Sequence, residues 1–173
     1  MLRTYRSISP TVHPSAFVDA SAQVIGDVHI GAESSIWMNA VVRGDINSIR
    51  IGARTNIQDL SLVHVMSQTH PVSIGDSVTI GHGVNIHGCT IEDRCLIGIG
   101  AILLNGCRIG TGSIVAAGTL VPEGMIVPPG SMVMGVPGKV RRQLTSEEDA
   151  SITRVSDGYV RYRLDFQDGQ TPA

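Results

Sequence analysis

Large aromatic side chains are nearly absent: Trp, Tyr and Phe make up 3% of the 173 residues, with one Trp and two Phe. An ordinary globular core takes much of its buried area from such side chains, so this interior has to be narrow and filled by Val, Ile, Ala, Ser and Thr. Excess charge of one sign is also missing. A formal net charge of −2 gives no basis for holding nucleic acid or an anionic membrane, and neither is expected as a partner. No apolar run approaches eighteen residues and no basic-then-apolar leader opens the chain, so neither a membrane span nor export is expected, and the expected location is cytoplasmic. Three cysteines are expected to be buried reduced thiols rather than a disulfide framework. The length suits one domain with a short appendage.

What the chain does have is a period. From Val18 to Val133 an aliphatic residue recurs mostly every six positions, often followed by Gly, with a small or slim residue at the fifth place of the hexad. Repeats this short mark a parallel β-helix, in which the chain winds as stacked coils. Three hexads make one triangular coil, so the rungs sort into three faces. The first carries Val18, Ile36, Ile57, Ile80, Ile97, Val115 and Val133. Val24, Val42, Val63, Ile86, Leu103 and Val121 form the second; Ile30, Ile51, Ile74, Ile91, Ile109 and Val127 form the third. The long steps from Val42 to Ile51 and from Val63 to Ile74 predict corner loops around Asn47 and Ser48 and from Ser67 to Ser73.

The hexads end near Gly135. Thr145 and Glu148 then form a capping-box pattern, and Ile152, Val155, Tyr159, Tyr162 and Phe166 follow at helical spacing. The spacing predicts an amphipathic helix over 146–164 along the outside of the coils, with Asp168 to Ala173 frayed. The expected division is a β-helix domain over 1–140 and a C-terminal helix and tail over 141–173.

The register also tells which polar residues are neighbours. His64 and His87 are both second in hexads of the second face, in consecutive coils, so their imidazoles stack about one strand spacing apart, ~4.8 Å. Two such nitrogens can share a zinc-like ion. Arg43 occupies the same column one coil earlier. His82 is third in the Ile80 hexad on another face, with Asp59 in its slot one coil back. A third ligand from that face is expected to reach the pair on a neighbouring prism, which implies a cyclic trimer with sites at subunit interfaces. Blander readings stand beside this one. His13 and His29 read as surface residues; Arg43, Asp45 and Asp59 fit an interface ion-pair network as well as catalysis; Asn56 and Gln58 fit polar ladders between coils as well as a site.

The segments Arg43-Gly-Asp45, Asn56-Ile-Gln58-Asp59, Val63-His64-Val65 and Ile80-Gly-His82-Gly-Val-Asn-Ile-His87-Gly-Cys89 together resemble the γ-class carbonic anhydrase family, over nearly the whole chain. The resemblance implies a mainly β, left-handed parallel β-helix of hexapeptide repeats with a C-terminal α-helix packed along it. It implies that His64, His82 and His87 bind Zn2+ (or Fe2+ or Co2+) and that the partners are CO2, bicarbonate and further copies of the chain in a homotrimer. It also implies that Gln58 hydrogen-bonds the water on the metal and that Asn56 holds that network. Arg43 would pair with Asp45 locally and Asp59 across the interface, and Tyr159 would reach the site from the C-terminal helix. The reaction implied is hydration of CO2 by a nucleophile that the metal generates at neutral pH.

The sequence departs from the family prototype where the proton leaves. Ile46 stands where the prototype has Glu, and the loop Ser67–Ser73 carries no carboxylate. His70 in that loop is a hypothetical relay, since an imidazole ordinarily titrates near ~6.5; an ordinary loop histidine is the plainer reading. Rival functions are a hexapeptide acyltransferase acting on an acyl-CoA, a catalytically silent metal-bound trimer or scaffold, and a thioester hydrolase.

Overall fold

A computed structural model describes residues 1–169. The chain winds as a parallel β-solenoid, and the three expected columns are all found. Val18, Ile36, Ile57, Ile80, Ile97, Val115 and Val133 pair rung on rung along one face. The second column runs from Val24 to Val121 and the third from Ile30 to Val127. Nearly all these rungs are fully buried and form one continuous core. An inward aliphatic side chain every sixth residue is what three short strands per coil can bury, and each is clamped by its neighbours above and below. Truncating one, as in Ile57→Ala, carries the usual core cost of about 2–5 kcal/mol. Cys89, Cys95 and Cys107 are free and buried, as expected.

The two predicted corner loops turn out differently. Val41–Ile51 is one continuous strand that turns the corner between the second and third faces. It pairs with Gln23–Ile30 through a register shift between Gly26 and Val28, so the extra residues around Asn47 and Ser48 are absorbed as a wide bulge rather than expelled as a loop. Ser67–Thr69 does form a turn, closed by a bridge between Met66 and His70, but the chain is a strand again over Val72–Ile74. At the far end Lys139–Gln143 folds back antiparallel on Ser131–Met134, a hairpin the hexads did not announce, and position 140 falls inside it.

The helix spans Ser146–Gly169, five residues past the predicted end. Its capping box is formed: Glu148 N–H donates to Thr145 Oγ1 at 3.2 Å and Thr145 N–H to Glu148 Oε2 at 2.9 Å. Asp168 and Gly169 lie within it, while the rest of the tail expected to fray, 170–173, lies outside the described residues. Ile152 is buried against Ile114 and Met132, and Arg54 and Arg94 of the coils pair with Asp157 and Asp149 of the helix at 2.7 Å each. Further along, Phe166 and Tyr159 meet Trp37 edge-on at 5.0 and 5.4 Å. These contacts lay the helix along the first face, the one that carries His82. No helix among the described residues is long and apolar enough to cross a membrane.

Candidate metal centre

The nine residues singled out in the sequence fall into two clusters on different faces. Arg43, His64 and His87 are aligned in adjacent strands of the second face, with Asp45 just beyond Arg43. There the His64 Nδ1 and His87 Nε2 atoms are 3.2 Å apart. The opposite nitrogen of each ring is engaged by an acceptor. His64 Nε2–H donates to Asp45 Oδ1 at 2.9 Å, and His87 Nδ1–H donates to Asn105 Oδ1 at 2.7 Å. A carboxylate oxygen and an amide carbonyl accept only, so in the neutral imidazoles both inner nitrogens are bare lone pairs aimed at one place. Arg43 holds the other oxygen of Asp45.

That donor set fits a cation. Two nitrogens bonded to a tetrahedral ion at 2.0–2.1 Å are separated by ~3.3 Å, close to the separation present. Each imidazole is held from behind by an acceptor, as metal-binding imidazoles generally are. Partial burial pushes the Asp45 carboxyl upward, but the hydrogen bonds from His64 and Arg43, with the Arg43 charge, outweigh it and leave its pKa below the ordinary carboxylate value. It therefore stays an acceptor and keeps the His64 tautomer fixed.

The second cluster holds Asn56, Gln58, Asp59, His82 and Tyr159. His82 Nδ1 meets Asp59 Oδ2 at 3.0 Å, as their shared slot predicts, and its side chain is 46% exposed. Its Nε2 has no partner among the described residues. Asn56 donates to the Val78 carbonyl at 3.4 Å and to Thr79 Oγ1 at 3.0 Å. That fixes its amide so that Oδ1 accepts from Gln58 Nε2 at 3.1 Å, and Gln58 is left with a carbonyl oxygen to offer. Tyr159, beside Asp59, has its pKa raised by burial and by the Asp59 charge. With Trp37, Met38, Asp59, Tyr162 and Phe166 it lines an apolar recess of 380 Å³.

Among the described residues, no group of three or more His, Cys, Asp or Glu side chains converges as one metal site within the chain. His82 therefore does not complete the His64–His87 pair within the chain, where the partner of Asp59 is His82. Asn105 and Glu123 were not singled out from the sequence. Carrying the histidine column one coil further reaches Leu104, since Ile86 pairs with Leu103, and Asn105 is the corner residue after it, so the column did not point to it.

A hexapeptide-repeat solenoid with a helix along one face is the class that fold and site define. The bacterial transferase hexapeptide (six repeats) family matches residues 88–123. Over 140 residues the chain is 56% identical to the "Probable carbonic anhydrase" of Methanocaldococcus jannaschii, covering 81% of this chain and 87% of that one. It is 42% identical to "Protein YrdA" of Escherichia coli (97% and 95% covered). It is 49% identical to "Gamma carbonic anhydrase 1, mitochondrial" of Arabidopsis thaliana over 87% of this chain, spanning 57% of the plant protein's length. A solved Bacillus cereus structure described as a putative acetyltransferase superposes with a TM-score of 0.95 at 39% identity, covering 98% of both chains. The chain belongs to the γ carbonic anhydrase family.

Proposed function

We propose that this chain is a γ-type carbonic anhydrase that hydrates CO2 to bicarbonate in a cyclic homotrimer. Each site would hold Zn2+ (or Fe2+ or Co2+) between His64 and His87 of one subunit and His82 of the partner subunit. The observation that carries this reading is the pair of bare imidazole nitrogens, 3.2 Å apart, with both outer nitrogens already bonded. What a divalent cation supplies there is acidity: it lowers the pKa of water to about 7.

The chain's own groups do the rest. Gln58 offers Oε1 to a water O–H, which orients the oxygen lone pair toward CO2, and Asn56 keeps that amide from flipping. Arg43, tied to Asp45 and 39% exposed, has guanidinium N–H groups left to hold bicarbonate oxygens. Tyr159 keeps its proton and, with Trp37, gives the apolar substrate an apolar wall. Leu60 at 69% exposure, beside Asp59, and Leu62 and Ile102, flanking the histidine column, are exposed apolar side chains suited to subunit contact. The location in the cytoplasm remains the expectation from composition.

The test is stopped-flow CO2 hydration on protein loaded with Zn2+ or, anaerobically, with Fe2+, with metal content measured and His64→Ala and His87→Ala as controls. Rates that vanish with the ligands support the proposal; full metal occupancy without hydration contradicts it and leaves a silent metal-bound trimer. The Bacillus cereus description favours acyl transfer as the second reading, and turnover of acetyl-CoA by metal-free protein would establish it. A base engaged by Asp45 on one side and a second imidazole on the other suits that chemistry poorly.

A further inference from the structure

We infer that Asn105 and Glu123 are positioning residues for the metal centre: Glu123 fixes the Asn105 amide, and Asn105 fixes the tautomer and ring orientation of His87. This rests on the proposed metal reading and adds two residues to it.

An asparagine amide can turn either end toward a histidine. If Nδ2 faced His87 Nδ1, that ring nitrogen would have to be the acceptor, and the proton would sit on Nε2, where the cation belongs. The amide orientation is settled on its far side, where Asn105 Nδ2 donates to Glu123 Oε1 at 3.1 Å. A carboxylate accepts only, so Oδ1 must face His87, which it does at 2.7 Å. Together with the first half, the centre reads as one line: Arg43, Asp45, His64, then the gap, then His87, Asn105, Glu123.

The backbone makes room for this reach. Gly88, directly after the ligand, has φ +57°, and a Cβ there would lie 2.6 Å from Asn105 Oδ1 and 2.7 Å from His70 Cβ. Any side chain at 88 would push Asn105 off His87. Glu123 sits at an exposed corner, and with Met66, His70 and Asn105 it lines an open recess of 700 Å³. Among the described residues, Asn105 is the one side chain that the Glu123 carboxylate bonds.

The experiment measures Co2+ affinity by competition with a chromophoric chelator, together with the visible spectrum of the bound ion, on the full-length protein. Asn105→Leu should weaken binding about 10–100-fold and alter the spectrum, the usual effect of removing an outer partner of a ligand histidine. The double variant Asn105→Asp with Glu123→Gln keeps an acceptor toward His87 and lets Gln donate back. It should recover most of the loss. If Asn105→Leu does not fold, Glu123→Leu at the exposed corner is the substitute, with an expected loss of about fivefold, one hydrogen bond's worth. Unchanged affinity and spectrum in the folded single variants, or a double variant as weak as Asn105→Leu, would overturn the inference. Failure of the underlying reading has a different signature: wild-type Co2+ affinity that ignores His64→Ala and His87→Ala.

Discussion

His64 Nδ1 and His87 Nε2 face each other across 3.2 Å with no hydrogen left for either to donate in the neutral rings. Two lone pairs at that distance repel unless a proton or a cation lies between them. Both side chains spring from directly paired strand residues, which sets their backbones one strand spacing apart, ~4.8 Å. In the proposed site, the parallel winding thus brings the two imidazoles together before any ion arrives, which lowers the ordering cost of binding.

Gly88→Ala separates backbone strain from ligand placement. The left-handed conformation alone costs an Ala about 1–2 kcal/mol, and the new methyl collides with Asn105 and His70. Chemical denaturation should show a loss of at least that size, and metal affinity should fall in parallel with Asn105→Leu. A variant as stable as wild type would contradict the close approach.

The cysteines should be inert in the folded protein. Burial pushes the Cys95 thiol up to about 11; its contact with Cys107, with burial, raises Cys89 well above its ordinary value. An aromatic disulfide reagent at pH 8 should titrate none of the three thiols natively and all three after unfolding, since the thiolate is the reactive form. Fast native labelling would show the coils to be open.

Acid should loosen the helix before it melts the coils. The Glu148 carboxyl is held down to about 2 by Arg142 and by the Thr145 backbone N–H. A depressed carboxylate stabilises above its unfolded pKa and loses that effect as pH falls through its folded one. The cap should therefore be fully effective above about pH 4.5 and weaken from there to about pH 2. Far-UV circular dichroism against pH should show helix loss in that window, and Glu148→Gln should remove the transition's pH dependence.

In the proposed trimer, subunit contact should depend on the exposed apolar side chains Leu62 and Ile102. Ile102→Asp puts a charge beside the His64–His87 strands, where a buried unpaired carboxylate in an interface would cost several kcal/mol. On the proposed trimer, sedimentation should show the variant sedimenting as a monomer at concentrations where wild type sediments as the larger species. A trimeric Ile102→Asp protein would place the interface on another face.

The solenoid was legible because one aliphatic per hexad fixes the register over the whole chain, and that register correctly put His87 beside His64 and Asp59 beside His82. Corners were less legible. Extra residues can leave as a loop or be absorbed as a bulge, and here Asp45 to Ser48 bulge out between the paired residues Gly44 and Ile49. The hairpin Lys139–Gln143 carries no aliphatic code, its five residues all being exposed. Asn105 and Glu123 escaped notice because corner positions look like turn chemistry, where Asn is common for local reasons.

The most direct measurement is complementation between two inactive variants. His82→Ala and His87→Ala proteins would be mixed one to one, unfolded, refolded together, and assayed for metal content and CO2 hydration beside refolded wild type. A site built from two chains should regain about one quarter of the wild-type value, since one interface orientation in four pairs an intact His64–His87 half with an intact His82 half. A mixture no better than its two parents, with refolded wild type fully active, would contradict the shared site.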